Sequence, residues 1–355
     1  MKTEYCYIHV PFCASICTYC DFCKLYTNDD MIFKYLDALD KEIDTYYIND
    51  KLKTLYIGGG TPSSLEKKEL DRLFSILDKF NLEDKYEFTF ECNLNDIDEF
   101  LLSYLKDKGV NRLSIGIESF NKDILKILGR EYNFDIKTRI NLAKKFFSNI
   151  NIDLIYAING QILSDLKKDL EEFISLDVNH ISIYSLILED HTILKTQNYI
   201  EIDENLNREM YDYICKFLKD NGYNHYEISN FAKPGFESVH NLNYWNNGKY
   251  YGFGLGASGY VDSVRYTNTR SITKYNDLKF RLDIEEINQK TDMENFMILG
   301  LRKTKGVSNK EFKDKFDKNI DEVFNTKKLD YKDGYYYINE NNLYISNSIL
   351  LDFIN

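Results

Sequence analysis

The sequence predicts an α/β protein, built as a partial (β/α)6 barrel of the TIM type with a small C-terminal α+β region that resembles a winged helix. The first observation is a repeated alternation over residues 4–188, where short apolar segments of strand character are each followed by a stretch of helical period. The second is that polar and glycine-rich residues fall where the predicted strands end. Parallel barrels carry their sites at that end of the strands.

Six strands account for the predicted barrel. Their ranges are Glu4–Val10, Thr54–Ile57, Tyr86–Cys92, Arg112–Ile117, Ile150–Ile158 and His180–Leu188. The helices predicted between them are Asp30–Asn49, Leu65–Phe80, Asp96–Lys108, Lys122–Leu128, Phe134–Phe147 and Asp165–Leu176. A strand, a helix and a second strand in succession form the unit that builds a parallel sheet.

The pattern changes after about residue 203. We expect a helix over Leu206–Asn221, a strand over Tyr223–Phe231 and then a long loop that carries His240. Two further helices are predicted over Asp292–Arg302 and Ser308–Phe316. A hairpin is predicted over Tyr335–Ile345, with its turn at Asn339–Asn342. The predicted domains are residues 1–200, 201–285 and 286–355. For the last of these, a binding role and a packing cap are equally compatible with the sequence.

Composition limits the class of protein. The chain has 355 residues, 43% of them hydrophobic, and a formal net charge of −12. That charge argues against nucleic-acid binding, which needs a basic face. Five of the seven cysteines lie between Cys6 and Cys23, which is no disulfide framework and favours a reducing compartment. No signal pattern or membrane-length apolar run is visible, so we expect a cytoplasmic protein without stable membrane insertion.

The strongest motif is a cysteine loop. Cys13, Cys17 and Cys20 have the spacing C-x-x-x-C-x-x-C. Three thiolates on one loop can hold three irons of a [4Fe–4S] cluster and leave the fourth iron open to a small molecule. The alternative is a zinc knuckle, but structural zinc requires four ligands, and the next candidates, Cys6 and Cys23, lie at unusual spacings. We interpret Cys23 as a thiol that does not bind the cluster.

Further polar groups end the following strands. Gly58-Gly59-Gly60-Thr61 gives bare backbone that a ligand can approach closely. Glu91 ends the next strand, and Glu118 shares one strand face with Ser114 and Gly116 because side chains alternate. On its own, Glu91 would more often be an ordinary surface carboxylate.

Two more charged residues belong to this set. Arg130 offers a guanidinium suited to bidentate capture of a carboxylate. Asp153 is a carboxylate on an otherwise apolar strand. A lone buried charge is costly, so a ligand or an ion pair should satisfy it.

Several of these segments together resemble the radical-SAM family of oxygen-independent coproporphyrinogen III oxidases, and within it the heme-chaperone branch. The segments are Tyr7–Cys13, Gly59–Pro62, Leu128–Arg130, Asn151–Tyr156, Tyr226–Gly235 and His240–Trp245. The resemblance covers roughly residues 4–305. The segments that begin at Tyr226 and His240 are specific to the chaperone branch, and the twelve residues before Cys13 are fewer than the dehydrogenases carry.

The resemblance implies three cofactors, namely a [4Fe–4S] cluster, S-adenosylmethionine (SAM) and heme. The residues it implies for SAM are Tyr7, Gly58, Gly59, Gly60, Thr61, Glu91, Glu118, Arg130 and Asp153. Those it implies for heme are His240, Tyr244 and Trp245. On the residues alone, His240 is equally compatible with a core histidine. The sequence departs from the family at Glu118, where glutamine is usual, and at Ser258, where histidine is common.

Three functions remain compatible with the sequence. They are a heme chaperone, an anaerobic coproporphyrinogen oxidase and some other radical-SAM enzyme. The resemblance to the chaperone branch implies hemoproteins as acceptors, respiratory ones among them, an electron donor for the cluster and a homodimer.

Overall fold

Six parallel strands form the centre of the molecule, which is described here from a computed structural model covering residues 2–354. In chain order the first strands are β1 (Tyr5–Val10), the short β2 (Phe12–Cys13) and β3 (Leu25–Tyr26), β4 (Lys51–Gly59), β5 (Asn81–Asn93), β6 (Arg112–Glu118), β7 (Ile150–Tyr156) and β8 (His180–Ser185). The intervening helices are α1 (Asp29–Tyr46), α2 (Lys67–Leu77), α3 (Glu99–Asp107), α4 (Lys122–Ile127), α5 (Ile136–Lys144) and α6 (Leu163–Leu176). Short 3-10 turns cover Pro62–Ser64 and Leu94–Asp96.

The sheet is an open, partial barrel. Its strand order is β11-β1-β4-β5-β6-β7-β8-β10-β9, in which β1 and β4 to β8 are mutually parallel. The two edge strands are β11 (Tyr251–Gly254) and β9 (Asn224–Glu227), and β10 (Asn230–Ala232) lies between β8 and β9. The predicted partial (β/α)6 barrel is therefore confirmed. The sequence analysis missed β11, which pairs in parallel with β1 from Cys6↔Tyr251 to His9↔Gly254.

The two faces of each strand differ in chemistry. On β6 the apolar Leu113, Ile115 and Ile117 are fully buried within the main hydrophobic core. The alternate residues of that strand, among them Arg112 and Glu118, lie on its other face. This alternation fills the outer layer with aliphatic packing and leaves a polar interior, which is where the site forms.

The chain continues beyond β8 with α7 (Ile193–Thr196), α8 (Glu204–Asp220), the β9–β10 hairpin and α9 (Val239–Trp245). His240 therefore lies on a helix, and the predicted long loop is wrong at this point. Ser238 begins α9 as its N-cap, since its side chain accepts a hydrogen bond from the backbone N–H of Asn241.

A second sheet of three strands follows β11. It contains β12 (Ser258–Val261), β13 (Val264–Asn268) and β14 (Arg281–Glu286), with α10 (Ile272–Asn276) between the last two. The C-terminal region contains α11 (Gln289–Gly300), β15 (Val307–Ser308), α12 (Asn309–Phe316), α13 (Ile320–Val323), β16 (Asp330–Lys332), β17 (Tyr335–Tyr337) and α14 (Ser346–Leu350).

The predicted C-terminal hairpin is displaced. Its turn lies at Asp333-Gly334, both with positive φ, so that β16 pairs with β17. Residues Glu340–Ile345 form a 3-10 helix that Asn339 caps. An Asp-Gly pair is a strong hairpin signal because both positions tolerate positive φ.

One hydrophobic core extends from Cys6 to Phe353 and includes residues of all three predicted domains. The boundaries near 200 and 285 therefore do not separate independent cores. No helix within residues 2–354 has the length and apolar character needed to cross a membrane.

Candidate functional site

A pocket of about 500 Å³ opens at the C-terminal ends of the parallel strands. It brings together most of the residues that the sequence analysis selected. Those that line it are Cys13, Cys17, Cys20, Gly59, Gly60, Thr61, Glu91, Glu118, Arg130 and Asp153. Two other predicted SAM contacts, Tyr7 and Gly58, do not line it but lie next to the lining residues Tyr56 and Glu91 respectively. The predicted heme residues His240, Tyr244 and Trp245 lie outside it.

The cysteine loop is held in place from several later parts of the chain. Its base is closed by parallel pairing of β2 with β3, with Cys13 opposite Tyr26. The backbone of Thr18 donates to the carbonyl of Leu128 at 3.2 Å and accepts from the backbone N–H of Leu194 at 3.0 Å. These contacts fix the loop at the mouth of the barrel.

The three thiols suit a cluster better than a single ion. Cys13 is buried, whereas Cys17 and Cys20 are half-buried and face the same pocket. Within residues 2–354, no three His, Cys, Asp or Glu side chains converge on a position for one metal ion. Thiols distributed around a pocket are what a [4Fe–4S] cluster uses, because each cysteine binds a different iron.

Without a metal, burial favours the protonated form of two of these thiols. Burial raises the pKa of the Cys13 and Cys17 thiols. The Thr61 hydroxyl lies 3.5 Å from the Cys13 sulfur and donates to it. Iron would bind these sulfurs as thiolates and displace their protons.

The glycine segment packs directly against its neighbours. A Cβ on Gly60 would lie 2.7 Å from the carbonyl oxygen of Phe12, and one on Gly58 would lie 2.7 Å from the Glu91 carboxyl group. Real Cβ atoms do not approach backbone so closely, so Gly60 must be glycine, whereas a Cβ at Gly58 would displace the Glu91 carboxyl group. Bare backbone at Gly59 and Gly60 consequently faces the pocket.

Glu91 connects this segment to the barrel interior. Its Oε2 accepts from the backbone N–H of Gly59 at 2.9 Å, and its Oε1 accepts from the Tyr56 hydroxyl at 2.8 Å. Burial raises the pKa of Glu91 to about 7, although both hydrogen bonds oppose that increase. The carboxyl group therefore changes charge near neutral pH.

Arg130 and Glu118 form a buried ion pair. Arg130 Nη2 lies 2.7 Å from Glu118 Oε1 and also donates to the Tyr19 hydroxyl at 3.3 Å. Glu118 has φ 71°, a left-handed conformation that costs a non-glycine residue free energy and is common at functional sites. The Nε and Nη1 atoms of Arg130 are buried and have no partner within residues 2–354.

Asp153 is satisfied within the barrel by neutral donors. The Ser114 hydroxyl donates to its Oδ2 at 3.1 Å, and the Asn151 amide donates to its Oδ1 at 2.8 Å. Burial nevertheless raises the pKa of the Asp153 carboxyl group. A cationic ligand in the pocket would favour its ionised form.

His240 occupies a different place, beneath the pocket. Its side chain is 1% exposed, and both ring nitrogens are engaged, Nδ1 with the Thr54 hydroxyl at 2.6 Å and Nε2 with the Tyr244 hydroxyl at 2.7 Å. Trp245 is half-buried, with the Arg302 guanidinium 5.5 Å from its ring centre. In this conformation the imidazole has no free nitrogen to offer a metal.

Comparisons with known proteins decide the family. The chain matches the radical SAM superfamily over residues 7–173 and the HemN C-terminal domain over residues 287–346. It is 42% identical over 335 residues to the heme chaperone HemW of Lactococcus lactis, with 91% of this chain and 88% of that protein covered. It is 39% identical over 336 residues to the heme chaperone HemW of Bacillus subtilis, with 90% and 88% covered. The chain belongs to the HemW family.

A solved structure confirms the fold. The coproporphyrinogen III oxidase HemN of Escherichia coli, described as a radical SAM enzyme, superposes with a TM-score of 0.87 over 99% of this chain and 90% of that one. Sequence identity to it is 21%, so this likeness shows the fold alone. The HemW and HemN assignments agree with the resemblance found in the sequence.

Sequence reasoning about this HemW family member missed several residues of the pocket. Arg112 is 2% exposed yet contributes to the lining, and its Nε has no partner within the described chain. Tyr56 and Tyr19 also line the pocket. Alternation along β6 could have found Arg112, because it shares a strand face with Ser114 and Glu118. Tyr56 carried no comparable signal.

Proposed function

We propose that this chain is a heme-binding chaperone on a radical SAM scaffold, which holds one [4Fe–4S] cluster and SAM and delivers heme to acceptor proteins. The observation that carries the proposal is the 42% identity to a heme chaperone over about nine-tenths of both chains. The polar pocket with three thiols at its mouth supports the two cofactors. The chain would act in the cytoplasm as a homodimer, with hemoproteins as acceptors and an electron donor for the cluster.

In this proposal Cys13, Cys17 and Cys20 hold the cluster. When bound, such a cluster supplies one iron without a cysteine ligand, to which SAM can coordinate. Arg130 uses its two unpartnered nitrogens to bind the SAM carboxylate. Glu91 and Asp153 supply negative charge and hydrogen-bond acceptors, which suit the sulfonium, amine and ribose of SAM.

The residues of α9 would hold heme, with His240 offering an imidazole nitrogen to the iron and Tyr244 and Trp245 offering flat aromatic surface. The imidazole would first have to release one of its two hydroxyl partners, Thr54 or Tyr244, since these engage both ring nitrogens. Heme binding through His240 therefore requires a local rearrangement that frees one ring nitrogen.

Anaerobic heme titration of cluster-reconstituted protein tests the chaperone proposal. We expect a saturable Soret change in the wild type, transfer of heme to an apo-hemoprotein and little conversion of coproporphyrinogen III when SAM and reductant are supplied. Efficient formation of protoporphyrinogen would instead favour the oxidase, which is the second candidate because the chain also matches the HemN C-terminal domain. Heme binding unchanged by His240→Ala would move the heme site elsewhere without removing the chaperone function.

The cluster ligands are tested by a matched set of cysteine variants. Replacing Cys13, Cys17 and Cys20 together with Ala should abolish the brown absorbance of anaerobically reconstituted protein, because each thiol would bind a separate iron. Cys23→Ala is the control on the same loop and should keep the cluster. Iron and sulfide content near four per chain in the triple variant would contradict the assignment.

A further inference from the structure

We infer that His240 is a positioning residue for the SAM pocket, which it supports from below through Tyr56 and Glu91. The inference rests on the SAM site proposed above and adds to it a residue that does not line the pocket. The contacts that connect His240 to the pocket form one continuous chain through three side chains.

The first contact is between rings. The His240 imidazole lies against the Tyr56 ring, with the ring centres 5.1 Å apart and the planes inclined by 36°. Tyr56 stands on β4, two residues after Thr54, so both side chains project to the barrel interior. His240 therefore contacts this face of β4 twice, through the Thr54 hydroxyl and through the Tyr56 ring.

The second contact leads to the pocket. The Tyr56 hydroxyl donates to Glu91 Oε1 at 2.8 Å, and the other oxygen of the same carboxylate accepts from Gly59 N–H at 2.9 Å. Glu91, Gly59 and Tyr56 all line the pocket. A shift of the Tyr56 ring would move the Glu91 carboxylate and the glycine backbone that faces SAM.

His240 is itself held rigidly. Besides its two ring contacts, its backbone N–H donates to Glu87 Oε1 at 3.0 Å, and the Val239 N–H donates to Glu87 Oε2 at 3.0 Å. Burial, assisted by the positive charge of Arg112, lowers the pKa of His240 to about 3, so the ring is neutral. A neutral ring with one donor and one acceptor matches two hydroxyl partners, each of which can serve either role.

Binding of SAM to conservative variants tests the inference. We expect His240→Gln and Tyr244→Phe to weaken SAM binding by about two- to tenfold by calorimetry, since each loses contacts of the strength of one neutral hydrogen bond. Tyr244→Phe removes a single hydroxyl and retains the ring, so it keeps the test usable if His240→Gln does not fold. Cluster content and the melting temperature are measured on every sample. The control is His225→Gln, on β9 at the far edge of the sheet, where the ring stacks on Phe231.

A double-mutant cycle separates positioning from general core packing. Tyr56→Phe breaks the link to Glu91, so adding His240→Gln to it should weaken SAM binding little further. The inference would be overturned if the losses of SAM affinity from Tyr56→Phe and His240→Gln multiplied in the double variant, as independent changes do. It would also be overturned if His240→Gln and Tyr244→Phe both bound SAM with wild-type affinity. If the wild type itself failed to bind SAM, both the SAM site and this inference would be overturned. If the wild type bound SAM and the variants behaved like it, only this inference would be overturned.

Discussion

At the scale of single residues, the Arg130–Glu118 pair links stability to the SAM site proposed above. The side chains are 14% and 6% exposed, and burial raises the pKa of Glu118 although Arg130 opposes this. A buried carboxylate that loses its cation becomes an uncompensated charge. Among residues 2–354, Arg130 is the cation that lies in contact with the Glu118 carboxylate.

Arg130→Ala should therefore have two separable effects. SAM affinity should fall about ten- to a hundredfold, because a charge-assisted hydrogen bond is worth about 1.5–3 kcal/mol. The free energy of unfolding should fall by about 3–5 kcal/mol, because Glu118 is left buried without its partner. Calorimetric SAM titration and denaturant unfolding measure the two quantities.

The double variant Arg130→Ala/Glu118→Gln provides the control. Removing the orphaned charge should restore most of the stability while SAM binding stays weak. Recovery of SAM affinity in the double variant would show that Arg130 acts only by neutralising Glu118.

At the scale of elements, α9 depends on a carboxylate from the sheet. Glu87 on β5 accepts hydrogen bonds from the Val239 and His240 N–H groups and from the Ser238 hydroxyl. Helix N-termini leave N–H groups without intrahelical partners and favour negative charge. Glu87 therefore attaches the first turn of α9 to the barrel.

Glu87→Ala should reduce the free energy of unfolding by about 0.5–2 kcal/mol, the usual cost of removing a helix cap. Thermal unfolding measures the change. Asp84→Ala on the same strand is the matched control, since the Asp84 side chain is fully exposed and makes one long ion pair with Lys51 at 3.7 Å. Equal melting temperatures for both variants and the wild type would remove the capping role from Glu87.

The elements also show what a sequence can and cannot reveal here. The six barrel units were predictable because apolar alternation is local and repeats. Strand β11 was missed because its glycine-rich segment has little pattern of its own and forms through pairing with β1, far away in sequence. The pocket residues were predictable because strand ends meet at one edge. The engagement of both His240 nitrogens was not, because it depends on Thr54, which lies 186 residues earlier.

At the scale of the whole molecule, buried histidines and buried carboxyl groups have opposite effects on how the free energy of unfolding depends on pH. Burial lowers the pKa of His9 and His225 to about 4 and that of His240 to about 3. Their contribution is complete above the unfolded value of 6.5 and is lost as the pH falls toward those folded values. Burial raises the pKa of Glu42 to about 6, and the pKa values of Glu91 and Glu227 to about 7. These carboxyl groups bind protons more tightly in the folded state, so between pH 7 and 4.5 acidification stabilises the fold through them.

We therefore expect the stability of cluster-free protein to change little between pH 6.5 and 4.5, where the two groups oppose each other. Between pH 4.5 and the folded histidine values of about 4 and 3, these three carboxyl groups no longer oppose the histidines. Stability should fall there by up to about 1.4 kcal/mol per pH unit for each proton involved. The urea concentration at the midpoint of unfolding, measured across this pH range, tests the expectation. His225→Gln should make the decline shallower, and a uniform decline beginning at pH 7 would contradict the assignment.

The anchoring of the cysteine loop has a consequence for protein synthesis. The loop is held by Leu128, by Leu194 and by Arg270, which donates to the Asp21 carbonyl across 249 residues of sequence. A ribosome adding about 5–20 residues per second needs roughly ten to fifty seconds to make that stretch. During this time the nascent chain carries its thiols on a segment that still lacks its last support, open to oxidation or to stray metal. We therefore expect stable cluster insertion only after the Arg270 segment has been made, because the last support of the loop is encoded that late in the sequence.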